Sequence, residues 1–355
     1  MSIPHAQEIA QALVDWFTAH GRDYPWRRTT EPWAILVSEI MLQQTTIPTV
    51  LRRYEGWMAQ FPTPASLAAA TEEEALRSWE GLGYYRRARN LHKGAQQVAA
   101  EYGGVIPRDV KELLKISGIG EYTAGAIASI AYDQVVPAVD GNVIRVVSRV
   151  KGIRENVGIP SVKRRIAQEA AALVPQSRPG DFNQAMMDLG ATICVPGTPS
   201  CERCPVAALC DAYREGDAED IPELPRKNPP RVIDYDLCLI FNGDRVLMRQ
   251  RTETMLQGLW VYPMVEEHHT VKQLPAIIKR KIGLPVTDVQ AAGEAKHIFT
   301  HQVWQMKLYT MQTTAEAPTG WRFVTLEEME GLTIPTAVKK AKDVVIRNSE
   351  CGMRD

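Results

Sequence analysis

Two carboxyl residues stand in sequence surroundings that suit acid–base chemistry. Glu39 lies in the run Ile35–Leu42, in which Ser38 is the only other polar residue. A carboxyl group among apolar side chains loses hydration, so its pKa rises and it can donate a proton near neutral pH. Asp140 follows a loop that contains Pro137 and precedes another helical run. The ordinary alternatives are a Glu39 exposed on a narrow polar edge and an Asp140 that only caps its helix.

Four cysteines with the spacing C-x6-C-x2-C-x5-C form the strongest local pattern in the chain. Four thiolates so close along the chain can surround one soft metal centre. Tetrahedral zinc is the generic alternative, although zinc sites usually combine two short cysteine pairs across a longer loop. Together with the glycine turn described next, the pattern favours a [4Fe-4S] cluster, and Cys238 and Cys351 are interpreted as structural. The candidate metal ligands are Cys194, Cys201, Cys204 and Cys210.

Gly118-Ile119-Gly120 forms a tight turn between two apolar helical runs. Glycine permits positive φ and leaves the amides of the turn uncovered by side chains. Amides at the start of the following helix make an anion site, so Gly118 and Gly120 are candidates for binding an anion. The alternative is an ordinary helix-turn-helix corner.

Three other segments carry side chains that suit nucleic acid. The loop 21–28 is basic and aromatic, and Gln43 and Gln44 have the donor–acceptor pair that binds base edges. In 81–89 a tyrosine beside a flexible turn could wedge into a base stack while arginines hold phosphates. The alternatives are a connector with a packed tryptophan and a helix start with packed tyrosines. The candidates are Trp26, Arg27, Gln43, Gln44, Leu82, Gly83, Tyr84 and Arg86, with Arg87, Arg89 and Lys115 as weaker ones.

The composition bounds the class of protein. The chain has 355 residues with 41 basic and 42 acidic ones, so any basic surface must be local. No apolar run approaches membrane-spanning length, and the first residues do not resemble a signal peptide but an amphipathic helix. We therefore expect a cytoplasmic protein, associated with the nucleoid if bacterial, that has no membrane partner.

The elements that must position these residues change along the chain. Residues 1–221 are dominated by helical patterns, whereas 222–231 is rich in proline and predicts a linker. Beyond it, Asn242-Gly243 predicts a hairpin in an α+β domain that spans 232–355. Strands are predicted at 232–241, 245–249, 297–311 and 321–324, and helices at 270–282 and 335–347.

The motifs together resemble one family. VSEIMLQQT, GLGYY, GIGEYTAGAI, VDGNVIRV and the four-cysteine spacing occur in the order found in helix-hairpin-helix DNA glycosylases with an iron–sulfur cluster. The resemblance is closest to the adenine DNA glycosylases of the MutY family and covers nearly the whole chain. It implies an all-α glycosylase domain with a [4Fe-4S] cluster loop, followed by an α+β Nudix-like domain. Its two subdomains would be about 29–137, a six-helix barrel, and 1–28 plus 138–221.

The resemblance implies a base-flipping enzyme that excises adenine opposite 8-oxoguanine or G in duplex DNA, acting as a monomer. Glu39 matches the general acid that protonates adenine at N7. Asp140 matches the carboxylate that stabilises the oxocarbenium ion or bonds to it transiently. We expect Asp140 to stay ionised because the helix N-terminus and Asn142 favour its charge.

One position separates reaction types. Bifunctional relatives of the endonuclease III type carry a lysine two residues after the second glycine, and its amine forms a Schiff base that leads to strand cleavage. Tyr122 occupies this position and cannot form the imine. We therefore expect a monofunctional glycosylase. The competing hypotheses are a bifunctional glycosylase/lyase and a metal-stapled DNA-binding module without activity.

The second domain resembles a Nudix-like module. Nudix hydrolysis requires acidic residues that hold a divalent metal, but Arg280 and Lys281 stand before Gly283, where the acids should be. This argues against hydrolysis and for recognition. Phe299-Thr300-His301 resembles a family loop, usually Phe-Ser-His, that contacts 8-oxoguanine. The alternative is a loop at a strand edge without ligand contact.

Overall fold

The structure is a computed structural model that describes residues 5–226 and 228–351. It divides into two compact units, Met1–Arg226 and Lys227–Asp355. The boundary lies within the proline-rich segment predicted as a linker. Among the described residues, no helix combines the length and apolar character needed to cross a membrane.

Unit 1 is helical. Proline stands in the first turn of five of its helices, where a missing amide hydrogen costs nothing. Thr71 and Glu74 form a capping box at the start of another. The helices are α1 (Ala6–His20), α2 (Pro32–Leu42), α3 (Ile47–Gln60), α4 (Pro64–Ala69), α5 (Glu72–Ser78), α6 (Arg86–Glu101), α7 (Val110–Leu113), α8 (Glu121–Ile130), α9 (Gly141–Val150), α10 (Pro160–Leu173), α11 (Pro179–Thr192) and α12 (Asp211–Glu215).

The N-terminal helix packs far along the chain. Ile9 and Leu13 of α1 lie in one apolar core with Val146 of α9 and Phe182 of α11. The cysteines of the metal pattern border the same core. The first helix and the segment that follows Asp140 therefore form one packing unit.

The glycine turn is less symmetric than its sequence indicates. Its first arm, α7, is only one helical turn, and further turns connect it to α8. Gly118 has φ +90, and a Cβ there would approach Asn90 to 3.2 Å. Gly120 is extended and directly precedes α8, with open space where a Cβ would be. Gly118 is thus required by the backbone, whereas Gly120 leaves the start of α8 uncovered.

Unit 2 is a mixed sheet with helices. Its strands are β1 (Arg231–Asn242), β2 (Arg245–Gln250), β3 (Trp260–Val261), β4 (Met264–Glu266), β5 (Thr287–Ile298), β6 (Gln302–Gln312) and β7 (Arg322–Val324). Its helices are α13 (Leu274–Ile282), α14 (Leu326–Glu330), α15 (Thr336–Lys339) and α16 (Lys342–Cys351). The main strand order is β3-β2-β1-β6-β5, with β4 beside β1 and β7 beside β2.

The hairpin prediction is confirmed, and two other predictions need correction. β1 and β2 pair antiparallel around Asn242-Gly243. The strand predicted at 297–311 is interrupted at 299–301, which separates β5 from β6. Sequence patterning missed most of β5 because much of it is exposed and lacks an apolar alternation. The helix predicted at 335–347 is split into α15 and α16. Cys238 is buried as expected, while the side chain of Cys351 lies outside the described residues.

Candidate active site

Glu39 is placed by an almost completely buried helix. In α2 every residue from Trp33 to Met41 is buried, and Glu39 itself is 7 % exposed. Tyr122 at the start of α8 donates a hydrogen bond from its hydroxyl to Glu39 Oε2. Burial raises the pKa of Glu39 to about 7, against the opposing effects of Tyr122 and of the charge on Arg27. These surroundings suit a carboxyl that keeps its proton up to near-neutral pH.

Asp140 is fixed as the N-cap of α9. Its Oδ1 accepts a hydrogen bond from the amide of Val143 at 2.8 Å, and its Oδ2 accepts one from Asn142 Nδ2 at 2.9 Å. Burial nevertheless raises the pKa of Asp140 above its ordinary value, and these hydrogen bonds only reduce the shift. Burial thus outweighs the groups that favour ionisation of Asp140, and its burial is not evident from the local sequence. The charge of Asp140 also contributes to the raised pKa of Glu39, so the two carboxyls interact.

A hydrogen-bond chain joins Asp140 to the cysteine loop. Asn142 Oδ1 accepts from Arg145 Nη2 at 2.8 Å. Arg145 also donates to the backbone carbonyls of Cys194 and Gly190, each at 2.7 Å. Sequence reasoning missed Arg145, although its place one turn after Asn142 was visible. The side chains of Asn142 and Arg145 therefore connect Asp140 to the loop that carries the cysteines.

Tyr122 faces Glu39 from the glycine turn. Its hydroxyl also lies 3.4 Å from Met187 Sδ. Burial and the neighbouring Glu39 raise the pKa of Tyr122 well above its ordinary value, so the phenol remains a hydrogen-bond donor. Lys115, before the turn, pairs with Glu112 on the exposed surface at 2.7 Å.

Several candidates for DNA contact lie inside the protein. The ring of Trp26 is buried and stacks on Tyr24 at 5.0 Å, and Arg27 binds both carboxylate oxygens of Asp188. Leu82 is buried. The structure therefore favours the packed alternative for Trp26 and Leu82, and it assigns Arg27 an internal partner. Residue type alone could not show this, because Asp188 lies 161 residues from Arg27.

Other candidates remain on the surface. Tyr84 is 47 % exposed and has φ 47, and Gln44 is exposed with φ 56. Both backbones are in the left-handed region, which ordinary residues avoid and which clusters at functional sites. Arg86 is exposed beside Tyr84, and Gly83 has φ 69. Gln43 is half-buried and donates to Thr123 Oγ1 at 3.4 Å.

Arg87 connects the loops that carry Gln44 and Tyr84. Its guanidinium donates to the carbonyls of Ile40, Met41 and Gln43 on one side, and to those of Leu82 and Gly83 on the other. Burial lowers the pKa of Arg87 to about 10. The sequence suggested a phosphate contact for Arg87, but its Nη1 and Nη2 donors are used internally. It fixes the geometry between two exposed loops.

The four cysteines line one cavity. It is bordered by Cys194, Cys201, Cys204 and Cys210. Arg149 donates to Cys194 Sγ at 3.3 Å and to the carbonyl of Val195 at 2.8 Å. Burial raises the pKa of Cys204 to about 12, so a metal centre would have to displace its proton. Among the described residues, no three side chains are arranged to hold a single metal ion. The thiol-lined cavity fits the donor set of a cluster.

The loop predicted to contact 8-oxoguanine joins β5 to β6 in unit 2. The amide of Phe299 donates to the carbonyl of Gln302 at 2.8 Å, which closes the turn. The Phe299 ring packs on Trp304 at 4.8 Å, while Thr300 and His301 are exposed. Arg280 and Lys281 are exposed at the end of α13. The loop thus presents two polar side chains from a braced turn.

A helical fold with a glycine turn, a buried acid and a helix-capping carboxylate is the arrangement expected of a helix-hairpin-helix base excision glycosylase. Residues 37–176 match the HhH-GPD superfamily of base excision DNA repair proteins, and 237–343 match the NUDIX domain. The chain belongs to the adenine DNA glycosylase family. It is 37 % identical to the adenine DNA glycosylase of Mus musculus over 92 % of this chain and 76 % of that protein. The human relative is also 37 % identical, over 93 % and 72 %.

Solved structures agree with this assignment for unit 1. A thermostable thymine-DNA glycosylase superposes with a TM-score of 0.55 at 29 % identity, covering 60 % of this chain and 98 % of that one. A non-covalent endonuclease III–DNA complex gives a TM-score of 0.50 at 25 % identity, covering 59 % and 97 %. The protein is a DNA-binding glycosylase of base excision repair.

Proposed function

We propose that this enzyme releases adenine paired with 8-oxoguanine or G from duplex DNA and leaves an abasic site. One observation carries the proposal: Glu39 is buried beside the Tyr122 hydroxyl, and burial together with the charge of Asp140 raises its pKa to about 7. A leaving adenine needs a proton, and the sugar cation needs a negative neighbour. The names of the relatives support adenine as the base.

The reaction would proceed in two halves. Glu39 transfers its proton to adenine N7 while the bond between the base and the sugar C1′ breaks. Asp140 then stabilises the oxocarbenium ion, either as an ion pair or through a transient bond to C1′. Water attacks C1′, and its proton returns to the Glu39 carboxylate. Asn142 keeps Asp140 oriented through its hydrogen bond of 2.9 Å.

The chemistry would stop at the abasic site. The Tyr122 phenol has no amine with which to form an imine, and its hydroxyl is engaged with Glu39. A bifunctional mechanism of the endonuclease III type would need another amine at the sugar. We therefore infer a monofunctional enzyme.

The cysteine cavity would hold a [4Fe-4S] cluster. The ligands would be the four cysteine thiolates that line the cavity, with Arg149 donating to the sulfur of Cys194. When bound, the cluster would hold the cysteine loop in place against α9. Proton transfer would remain the role of Glu39. No step of the proposed reaction passes through it.

DNA and the damaged partner base would be held by exposed groups. Tyr84 would enter the base stack and Gln44 would bind base edges, while Gly118, Gly120 and Arg86 would contact the backbone. In unit 2, Phe299, Thr300 and His301 would contact 8-oxoguanine. We propose that one protein molecule acts on each lesion.

A base-release assay tests the function. Purified protein is incubated with duplexes that contain A opposite 8-oxoguanine, A opposite G, or an oxidised pyrimidine, and alkali then cleaves abasic sites. We expect release from the first two duplexes, none from the third, and strong loss of release in Asp140→Asn. No adenine release from the first duplex would refute the proposal.

A further inference from the structure

An ion cluster beside Glu39 has no part in the reaction as written above. Asp188 in α11 has only 2 % of its side chain exposed. Arg27 donates to its Oδ2 at 2.6 Å and to its Oδ1 at 2.8 Å. Arg22 donates to the same carboxylate through Nε at 3.2 Å and through Nη2. Because two guanidinium groups share one carboxylate, the cluster keeps one net positive charge.

Arg27 is immobilised from several sides. Its guanidinium lies 5.2 Å from the ring centre of Tyr24 and 5.4 Å from that of Phe17. Its Nη1 also donates to the carbonyl of Arg22 at 3.0 Å. A planar guanidinium held by a carboxylate and by aromatic faces keeps one orientation. The contacts join α1, the loop after it and α11.

This ion cluster lies next to the Glu39 slot, the part of α2 that surrounds Glu39. The turn Pro25–Arg27 packs against α2, and the charge of Arg27 acts on both Glu39 and Tyr122. Met187, the residue before Asp188, contacts the Tyr122 hydroxyl at 3.4 Å. The same turn of α11 therefore touches the slot and anchors the arginine.

Proton transfer creates a need for such a charge. After Glu39 has donated its proton, a carboxylate remains where water is largely excluded, and an uncompensated buried charge is costly. The titratable and charged groups that act on Glu39 are Tyr122 from α8, Asp140 before α9 and Arg27. Asp140 repels the new carboxylate, and Tyr122 supplies a neutral hydrogen bond. Arg27 is the cation among them.

We propose that Asp188 is a positioning residue that holds Arg27 beside Glu39, so that the arginine stabilises the carboxylate left by proton transfer. This inference rests on the proposed function, since it assigns a role within that reaction. Asp188 acts through Arg27 and does not touch the base or the sugar. Loss of Asp188 leaves Arg27 without its fixed orientation.

The test measures single-turnover adenine release from a duplex with A opposite 8-oxoguanine as a function of pH. It uses the full-length wild type, Arg27→Met, Asp188→Asn and the double variant. Each single substitution is expected to slow release about tenfold and to move the alkaline limb of the profile upward by about one pH unit, because Glu39 loses its cation. The double variant should be no slower than Arg27→Met, since residues that act in series are not additive.

A matched control lies in the same loop. Asp23 accepts from Arg28 at 2.8 and 2.6 Å in the same two-pronged way, but both side chains are exposed. Asp23→Asn should therefore leave the rate and the pH profile unchanged. A rate loss in the double variant equal to the product of the single losses, or an unchanged alkaline limb in Arg27→Met, would overturn the proposal.

Two further readouts keep the test decisive. If Asp188→Asn does not fold, the alkaline limb of Arg27→Met decides the question. If the wild type releases no adenine, the proposed function fails, and infrared titration of the Glu39 carboxyl in wild type, Arg27→Met and Asp188→Asn then tests the positioning role alone. A Glu39 titration in either variant that is the same as in the wild type would refute it.

Discussion

Each unit of the molecule contains a carboxyl that is shielded from water, and the two carboxyls have opposite surroundings. Glu39 in α2 has the hydroxyl of Tyr122 as a neutral donor, and burial raises its pKa to about 7. Asp236 in β1 is 0 % exposed and accepts from the amide of His269 at 2.8 Å, from His269 Nδ1 at 2.9 Å and from His268 Nδ1 at 3.2 Å. Burial makes a carboxyl an acid where donors are few, and a structural anchor where they are many.

The two surroundings are built differently. Asp236 lies in a strand covered by apolar clusters on both faces, and β4 pairs beside it and leads directly to the two histidines. These donors satisfy the acceptor oxygens of Asp236 and hold the end of β4. Glu39 keeps its proton to a higher pH because α2 surrounds it with apolar side chains. We therefore expect mutations at Glu39 to affect activity and those at Asp236 to affect stability.

The largest expected effect is on catalysis. Glu39→Gln keeps the shape of the side chain but removes the proton that the leaving base requires. Adenine release should fall by about 10²- to 10⁴-fold, the usual contribution of a general acid. Single-turnover release and duplex binding, measured on the same preparation, check this. Weak binding that accounts for the whole loss would contradict the assigned role.

The pH profile of adenine release should reflect the raised pKa of Glu39. Since only protonated Glu39 is active, release should decline above about pH 7, approaching tenfold for each further pH unit. The acid limb should follow Asp140, which must be ionised. Rate measurements across the alkaline range check the decline. A flat profile there would show that Glu39 does not supply the proton.

The stability of Glu39→Gln should change in the opposite direction. The folded pKa of Glu39, about 7, is above the unfolded value of 4.5, so the stability of the wild type that is present below pH 4.5 is lost progressively as pH rises through 7. The amide introduced by the substitution has no proton to lose, so the variant should gain stability relative to wild type between about pH 5 and pH 8. Thermal unfolding of both proteins at pH 5 and pH 8 checks this. A stability difference between variant and wild type that is the same at both pH values would contradict it.

Sequence patterns located the reacting groups better than their surroundings. The burial of Glu39 follows from the apolar run around it, and the cap at Asp140 follows from local order along the chain. Arg27 and Arg87 were expected on DNA but lie inside, because an arginine's partners are set by tertiary contacts such as Asp188. The Asp236–histidine group was missed for the same reason. Local pattern predicts exposure of a segment more reliably than the partner of a charged side chain.

Asp236→Asn tests the other side of the comparison. The new amide hydrogens would face the donors of His269, so at least one buried donor would lose its acceptor at a cost of about 1–3 kcal/mol. Hydrogen exchange in β1 and β4 should accelerate while that of α2 and α8 does not. Asp234→Asn is the control, since Asp234 is half exposed and its contact with His268 is 3.7 Å. Equal effects of the two substitutions would contradict the assignment.

The smallest effect is expected from Tyr122→Phe, which removes the hydrogen bond to Glu39 without opening the slot. This hydrogen bond lowers the pKa of Glu39 against burial, so its loss should move the alkaline limb of adenine release to higher pH. Release itself should slow only about two- to tenfold, the value of one hydrogen bond. Strand cleavage should stay absent, and borohydride should trap no adduct in either protein. An adduct that survives in Tyr122→Phe would instead require another amine at the sugar. The expected result would separate the two buried carboxyls further. Glu39 would still donate its proton after loss of its hydroxyl donor, whereas the stability around Asp236 depends on each of its donors.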